Sequence, residues 1–339
     1  MTPRFRPLPQ SGRARPQGAL PLAGGPLWFT HAERLSRAEP ARIVSADRIP
    51  APVLARLTAP RAAILGLELD RPRLMGILNV TPDSFSDGGR FAALEQARAA
   101  GLAMQAAGAD LIDIGGESTR PGAAEVPEAE EIRRTAPVIA ALRAAGGALP
   151  ISIDTRKAAV AREALSAGAG MVNDVSGFGF DPALAPLCAA SGVPVCVMHA
   201  QGDPATMQDD PAYDDVVLDV YDFLETRIAA LEADGIARDR IIVDPGIGFG
   251  KTQAHNLTLL RSIAVLHGLG CPVLLGASRK GFVGRIGREP QALRRAPGSI
   301  AVGLAALAQG VQLLRVHDVD ETAQALRLWR AVRDEGEDA

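Results

Sequence analysis

The sequence predicts a (β/α)8 barrel over residues 71–335, preceded by an N-terminal extension, residues 1–70. Three observations support this fold. Short apolar stretches alternate with amphipathic helical patterns, eight such units follow one another, and together they occupy about 265 residues. Strands that are apolar throughout are typical of a parallel sheet covered on both faces. A closed barrel of eight βα units needs ~250 residues, which is close to the length available.

Each unit pairs a strand candidate with a helix candidate. The strand candidates are the apolar runs 74–79, 111–115, 151–154, 171–174, 193–198, 241–244, 272–277 and 312–316. The helix candidates have Ala, Leu and Val at three-to-four spacing and are 92–107, 128–145, 157–167, 182–190, 214–234, 254–267, 298–309 and 319–333. Asp154 and Asp181 stand at helix starts, and Gly108 and Gly168 at helix ends. A doubly wound open sheet is the alternative, but no strand candidate is followed by the Gly-x-Gly-x-x-Gly turn of dinucleotide folds.

The composition is typical of a soluble globular protein, with 47% hydrophobic and 22% charged residues. A formal net charge of −3 argues against a nucleic-acid partner. No apolar run approaches the ~20 residues that span a bilayer, so we expect no membrane partner. The three cysteines lack metal-binding spacing and are interpreted as buried thiols. Because the basic start of the chain lacks the apolar core of a signal peptide, we expect a cytoplasmic protein.

The N-terminal extension gives a weaker pattern. Residues 1–30 are rich in Pro, Gly and Arg and predict an irregular arm with Trp28 and Phe29 as apolar anchors. Residues 31–70 hold only short amphipathic pieces, too short to predict an independent domain. We expect the extension to pack on the barrel, and the sequence assigns it no function.

Polar side chains follow nearly every strand candidate at its carboxyl end. In chain order they are Asn79; Asp113 with Glu117, Ser118, Thr119 and Arg120; Asp154; Asn173 and Asp174; His199; Asp244; Ser278, Arg279 and Lys280; and Arg315 with His317. The carboxyl ends of barrel strands meet at one mouth. Any one residue has a structural explanation, such as Asp154 as a helix N-cap or His199 as a core histidine. Eight such endings together favour a site that binds a polar ligand, because unpartnered buried polar groups are costly.

The residue types indicate two kinds of ligand group. Acids and amides without a Cys/His cluster suit a flat heterocycle with several N–H groups, because a carboxylate accepts paired N–H bonds and an amide both donates and accepts. A basic set suits an anion such as phosphate. Its members are Arg120, Lys280, Arg315 and His317. Asn79 can offer an oxygen to Mg²⁺, which shares its coordination shell with substrate phosphates and water.

Two segments rich in Gly and Pro flank the predicted mouth, residues 81–90 and 116–127. Polar, glycine-punctuated loops at a barrel mouth are typical of lids that exclude water when a ligand is bound. We therefore expect both segments to close over the site.

Several of these stretches resemble the dihydropteroate synthase family. Two are long and specific: MGILNVTPDSFSDGG at 75–89 and DIGGESTRPGA at 113–123. Shorter matches follow in order at 152–155, 172–174, 197–199, 244–251, 278–280 and 315–318. The resemblance covers about residues 72–333. The N-terminal extension of this chain is longer than the short segment that precedes the barrel in the family.

The resemblance implies a transferase that joins 6-hydroxymethyl-7,8-dihydropterin diphosphate to 4-aminobenzoate, giving 7,8-dihydropteroate and diphosphate in folate biosynthesis. By similarity, the pterin is bound by Asp154, Asn173, Asp244 and Lys280. The diphosphate is bound by Asn79, Arg315 and His317, and the aminobenzoate by Ser118, Thr119, Arg120 and Ser278. Asn79 is also the implied Mg²⁺ ligand, and Asn79, Lys280, Arg315 and His317 form the implied catalytic set. Asp113 has two possible roles, to orient Arg315 or to line the pterin pocket.

Other interpretations remain open at this stage. A pterin-binding methyltransferase barrel is disfavoured because its partner needs no anion cluster. A catalytically silent pterin-binding paralogue is disfavoured because every position assigned to catalysis is present. A Schiff-base aldolase would use Lys280 as its nucleophile. We further expect the protein to be a homodimer.

Overall fold

The N-terminal extension carries regular structure in this computed structural model, which describes residues 2–80, 89–118, 125–202 and 207–333. Its elements are β1 (Arg4–Pro7), β2 (Leu20–Pro21), β3 (Trp28–Phe29), β4 (His31–Leu35), β5 (Arg42–Ser45) and α1 (Ala51–Thr58). β1, β4 and β5 form one antiparallel sheet, and β2 pairs with β3. The prediction of an irregular arm over 1–30 missed β1, β2 and β3, because strands of two to four residues are too short to show a period of two. The predicted anchors Trp28 and Phe29 are buried.

The extension has a small apolar core and is tied to the barrel. Phe29 and Leu57 are fully buried in this core. The side chain of Arg56 donates to the Gly268 carbonyl at 2.8 Å, and that of Arg61 donates to the His267 carbonyl at 3.1 Å. Further along the chain, Ile64 and Leu69 pack inside the barrel against its lowest layer of side chains. The end of the extension therefore closes the amino-terminal end of the barrel.

Eight parallel strands form the barrel, and the predicted fold class is confirmed. They are β6 (Arg73–Asn79), β7 (Leu111–Gly115), β8 (Ile151–Asp154), β9 (Met171–Asp174), β10 (Val195–Met198), β11 (Ile241–Asp244), β12 (Leu274–Leu275) and β13 (Leu313–Val316). Neighbours in sequence are neighbours in the sheet, and β13 pairs with β6. A parallel bridge between Val243 of β11 and Val273, beside β12, closes the ring.

Helices follow the strands and cover the outside of the barrel. They are α2 (Gly89–Ala107), α3 (Glu128–Ala144), α4 (Ala158–Ser166), α5 (Leu184–Ser191), α6 (Val216–Ala233), α7 (Gln253–Ser262), α8 (Gly281–Gly287), α9 (Ala296–Leu307) and α10 (Val319–Val332). α8 was not predicted, because three glycines among its seven residues hide the helical pattern. The predicted helix 254–267 ends earlier, and residues 263–269 continue as a 3-10 helix. Among the described residues, none of the helices has the length and apolarity of a membrane span.

Strand register divides the barrel interior into two layers, because every second residue of a strand points inward. The lower layer is apolar and consists of Met75, Leu111, Met171, Cys196, Ile242, Leu274 and Leu313. Closer to the carboxyl ends of the strands, the pairing aligns Gly115 with Asp154 and Asp154 with Asn173. The apolar packing that fills the barrel therefore stops below a layer of polar side chains at the carboxyl ends of the strands.

Candidate active site

Arg315 on β13 lies at the barrel mouth and binds two carboxylates at once. Its Nε donates to Oδ2 of Asp113, and its Nη2 donates to Oδ2 of Asp154, both at 2.6 Å. The side-chain amide of Asn173 donates to the same Asp113 oxygen at 2.9 Å. These four residues come from four different strands, so the pairing joins opposite sides of the barrel. Of its two possible roles, Asp113 fulfils the first in this structure, since it orients Arg315.

This cluster contains one more acid than base. Asp113 is fully buried, and 19% of the Arg315 side chain remains exposed. Burial raises the pKa of Asp154 to about 7, with Arg315 opposing the rise and Asp113 adding to it. Burial alone would lower the pKa of Arg315, but the two carboxylates raise it. The Oδ1 atom of Asp113 is buried and has no hydrogen-bond partner among the described residues.

Asp244 ends β11 and leads into a glycine-rich loop, residues 245–251. Its Oδ1 accepts a hydrogen bond from the Gly246 backbone N–H at 2.7 Å. Burial raises the pKa of Asp244, although that N–H and the charge of Lys280 act in the opposite direction. Gly246 has φ +66°, and a Cβ atom there would lie 1.8 Å from the His199 carbonyl oxygen. The chain can turn this closely after Asp244 only at a glycine.

A buried lysine holds the glycine-rich loop in place. Lys251 Nζ lies 2.8 Å from His199 Nδ1 and donates to the carbonyls of Gly246 and Phe249 at 2.9 and 3.0 Å. Burial lowers the pKa of Lys251 to about 7 and that of His199 to about 3, so His199 is neutral. Lys251 was not among the residues predicted from the sequence. The only signal was its place at the end of the 244–251 motif.

Two other basic residues of the site, Lys280 and His317, also lie at the barrel mouth. Lys280 Nζ lies 4.0 Å from the ring centroid of Phe249, on the loop that Lys251 fixes. Ser278 Oγ lies 3.0 Å from His317 Nδ1 and accepts from the His317 backbone N–H at 3.2 Å. Ser278, predicted for the aminobenzoate, therefore lies directly beside a residue predicted for the diphosphate. Asn79 is half-buried at the end of β6, paired with Gly115.

A buried ion network lies at Val126, just before the start of α3. Lys157 Nζ contacts Glu131 Oε2 at 2.9 Å and Glu117 Oε1 at 3.2 Å, and it donates to the Val126 carbonyl at 2.5 Å. The Val126 N–H donates to Glu117 at 2.8 Å. Both backbone groups of Val126 are therefore fixed to the network. This cluster could not be predicted from the sequence, because its members are far apart along the chain and none of them is the last residue of a strand.

The structure thus brings together most of the residues predicted from the sequence. Asp154, Asn173 and Arg315 belong to one bonded cluster through Asp113, and Lys280 influences the charge state of Asp244. Ser118 is half-buried at the edge of the described chain. Thr119 and Arg120 lie outside the described residues, as do 81–88 and 119–124, which make up most of the two predicted lids.

Comparison with known proteins agrees with this geometry. The family described as pterin binding enzyme matches residues 75–317. The chain is 45% identical over 265 residues to dihydropteroate synthase of Escherichia coli (strain K12), covering 78% of this chain and 93% of the relative. The chain belongs to the pterin-binding enzyme family. The family match begins at residue 75, so it does not include the extension.

Solved structures of pterin-binding enzymes extend the likeness to three dimensions. Dihydropteroate synthase of Xanthomonas albilineans with 4-aminobenzoic acid is 50% identical with a TM-score of 0.75, covering 81% of this chain and 98% of that one. The same enzyme in complex with 7,8-dihydropteroate is 48% identical with a TM-score of 0.72, covering 79% and 95%. The fold is therefore shared with structures that hold 4-aminobenzoic acid and 7,8-dihydropteroate.

Replacement of Gly246 with alanine tests the geometry of the glycine-rich loop. The new Cβ atom would clash with the His199 carbonyl in a left-handed backbone conformation, so we expect the free energy of unfolding to fall by about 1–3 kcal/mol. Urea denaturation measures this loss. Gly287→Ala is the matched control, because a Cβ atom there meets nothing within 4 Å. Equal stability of the two variants would show that the loop does not need glycine.

Proposed function

We propose that the protein catalyses the dihydropteroate synthase reaction. It is a transferase that joins 6-hydroxymethyl-7,8-dihydropterin diphosphate to 4-aminobenzoate, and the products are 7,8-dihydropteroate and diphosphate, in folate biosynthesis. The observation that carries this proposal is the cluster of Asp113, Asp154, Asn173 and Arg315 at the barrel mouth, in a chain 45% identical to dihydropteroate synthase over 265 residues.

The acidic layer suits the edge of a pterin that carries N–H groups. Asp154 and Asp244 are buried acceptors, and we propose that each accepts N–H bonds from the pterin ring. Asn173 already donates to Asp113, so its carbonyl oxygen can accept from the ligand. Lys280, held over Phe249, is proposed to donate to the pterin carbonyl.

The diphosphate is proposed to lie above the pterin, against Asn79, Arg315 and His317. A guanidinium has five N–H donors, and the two carboxylates engage Nε and one N–H of Nη2 of Arg315. The same residue can therefore hold the acidic layer together and still donate to an anion. Ser278 fixes the ring of His317 from behind. Ser118, Thr119, Arg120 and Ser278 are proposed to bind the aminobenzoate.

These residues act through electrostatics and positioning, and the reaction needs no nucleophile from the protein. The bond between the methylene carbon and the diphosphate oxygen breaks, and its electron pair leaves with the diphosphate. Positive charge develops on the methylene carbon and spreads into the electron-rich dihydropterin. The negative cluster around Asp113 and Asp154 lies where it can stabilise this charge. The amine of 4-aminobenzoate then forms the new carbon–nitrogen bond and loses a proton to solvent.

Mg²⁺ is proposed as an ion shared between the protein and the diphosphate. Within the described ranges, no group of three or more His, Cys, Asp or Glu side chains could hold a metal by itself. Mg²⁺ commonly takes only one or two protein ligands and completes its shell with phosphate oxygens and water. Asn79 fits this donor set as a single protein oxygen at the mouth. When bound, the ion would neutralise charge on the leaving diphosphate.

Three properties of the protein stay predictions. They are its cytoplasmic location, its homodimeric state, and the absence of nucleic-acid and membrane partners. One feature supports the first of these. Cys188, Cys196 and Cys271 are all free and buried, and burial raises the pKa of each thiol. Unpaired cysteines are typical of proteins in a reducing compartment.

Diphosphate release by the purified protein tests the proposed activity. With Mg²⁺ and 6-hydroxymethyl-7,8-dihydropterin diphosphate, we expect sustained release only when 4-aminobenzoate is added, because the amine is the acceptor. Release at the same rate without 4-aminobenzoate would indicate hydrolysis instead of transfer. No release with both substrates present would contradict the proposal.

His317→Ala separates the anion site from the pterin site. If His317 contacts the diphosphate, its loss should weaken binding of the pterin diphosphate by about 1–2 kcal/mol and leave unphosphorylated 6-hydroxymethylpterin nearly unaffected. Isothermal titration calorimetry measures both affinities. Asp244→Asn is the matched control and should weaken both ligands alike, because Asp244 is assigned to the ring. Equal losses for the two ligands in His317→Ala would contradict the assignment of this residue.

A further inference from the structure

The chain segment that leads into α6 is strongly acidic. Residues 203–226 contain eight Asp and Glu residues and no Lys or Arg. Several of these acids lie close together on α6, among them Asp219, Asp222 and Glu225. Like charges this close repel one another, and those beyond the first helical turn gain little from the helix dipole. This face of the helix therefore needs cations from elsewhere in the molecule.

The N-terminal extension supplies those cations. Arg37, in the turn between β4 and β5, forms ion pairs with Asp219 and, at 3.1 Å, with Asp222. Arg4 on β1 forms ion pairs with Asp222 and Glu225, each at 2.7 Å. The Arg4 guanidinium also lies 4.3 Å from the centroid of the Tyr221 ring. Two arginines of the extension thus neutralise the acidic face of α6.

The contact made by Arg37 continues to the start of α6. Arg37 bonds to Oδ1 of Asp219, and Oδ2 of the same carboxylate accepts from the Asp215 backbone N–H at 3.1 Å. Asp215 is the N-cap residue of α6, and its side chain accepts from two backbone N–H groups of the first turn. The ion pair therefore fixes the point at which the loop after β10 becomes α6.

That loop in turn supports the glycine-rich loop of the active site. Tyr213 Oη donates to the Gly250 carbonyl at 2.7 Å, and the Gln208 side chain donates to the Gly248 carbonyl at 2.7 Å. Residues 245–251 run directly from Asp244 and carry Phe249, the ring beneath Lys280. A continuous series of contacts therefore connects the extension to two residues assigned to the pterin.

We propose that the N-terminal extension is a positioning element of the pterin pocket, acting through the Arg37–Asp219 pair, the start of α6 and residues 207–215. Arg37 touches no substrate and is a positioning residue. Its effect on catalysis rests on the proposed function, but its effect on residues 207–215 does not. The extension lies outside the family match, so this support belongs to the part of the chain that the family does not include.

Arg37→Gln is the variant that tests the inference, with Arg34→Gln as its matched control. Arg34 lies on the same hairpin, but its ion pair is with Glu39, within the extension. We expect hydrogen exchange of the amides of 207–215 to become faster in Arg37→Gln and to stay at the wild-type rate in Arg34→Gln. Since exposed ion pairs contribute modestly, the KM for the pterin diphosphate should rise about three- to fivefold. The kcat should stay near the wild-type value, and Arg37→Lys should restore most of the KM.

Two readouts keep this inference distinct from the proposed function. Faster exchange confined to Arg37→Gln supports the positioning role even if the wild type releases no diphosphate, an outcome that would overturn the proposed function alone. Wild-type exchange of 207–215 in Arg37→Gln would overturn the positioning role. An unchanged KM for the pterin diphosphate in an active enzyme would also overturn it.

Discussion

The pairing of one arginine with two buried carboxylates is the interaction on which the active site depends. Arg315 joins β13 to β7 and β8 across the barrel mouth through Asp113 and Asp154. Removing either carboxylate would leave the other to match the full charge of the guanidinium, and removing Arg315 would leave two acids buried together. Buried charges are tolerated only when they are paired and hydrogen-bonded. The excess negative charge of the cluster is what suits it to a ligand with N–H groups and a developing positive charge.

Two buried lysines hold loops near this cluster in the same way, by donating hydrogen bonds to backbone carbonyl groups. Lys251 donates to two carbonyl groups of the loop 245–251, and Lys157 contacts the Val126 carbonyl and two glutamate carboxylates. An ammonium group has three donors that can point in different directions, so a single lysine can fix a loop that has no regular structure. Lys251 thereby fixes the loop that carries Phe249, the ring beneath Lys280.

The sequence was sufficient for the barrel and for the inventory of strand ends, because both follow from local patterns. Apolar runs locate the strands, and the polar residue that ends each run lies at the mouth in any closed barrel. It was not sufficient for the pairing among those residues. That Arg315 meets both Asp113 and Asp154 depends on the curvature that brings β13 opposite β8. Lys157, Glu131 and Lys251 were missed for the same reason. The strands of the extension were missed because they are too short to show a period of two.

Burial raises the pKa of Asp154 to about 7 against the opposing charge of Arg315, and we predict that the pterin binds the ionised form of this carboxyl group. A carboxylate that accepts N–H bonds must be deprotonated, so binding should release the proton that Asp154 holds. Calorimetric titration of 6-hydroxymethylpterin at pH 6.5, in buffers of different ionisation enthalpy, measures this release. We predict between about half and one proton released in the wild type and a much smaller release in Asp154→Asn. Binding without proton release, or the same release in both proteins, would contradict the account.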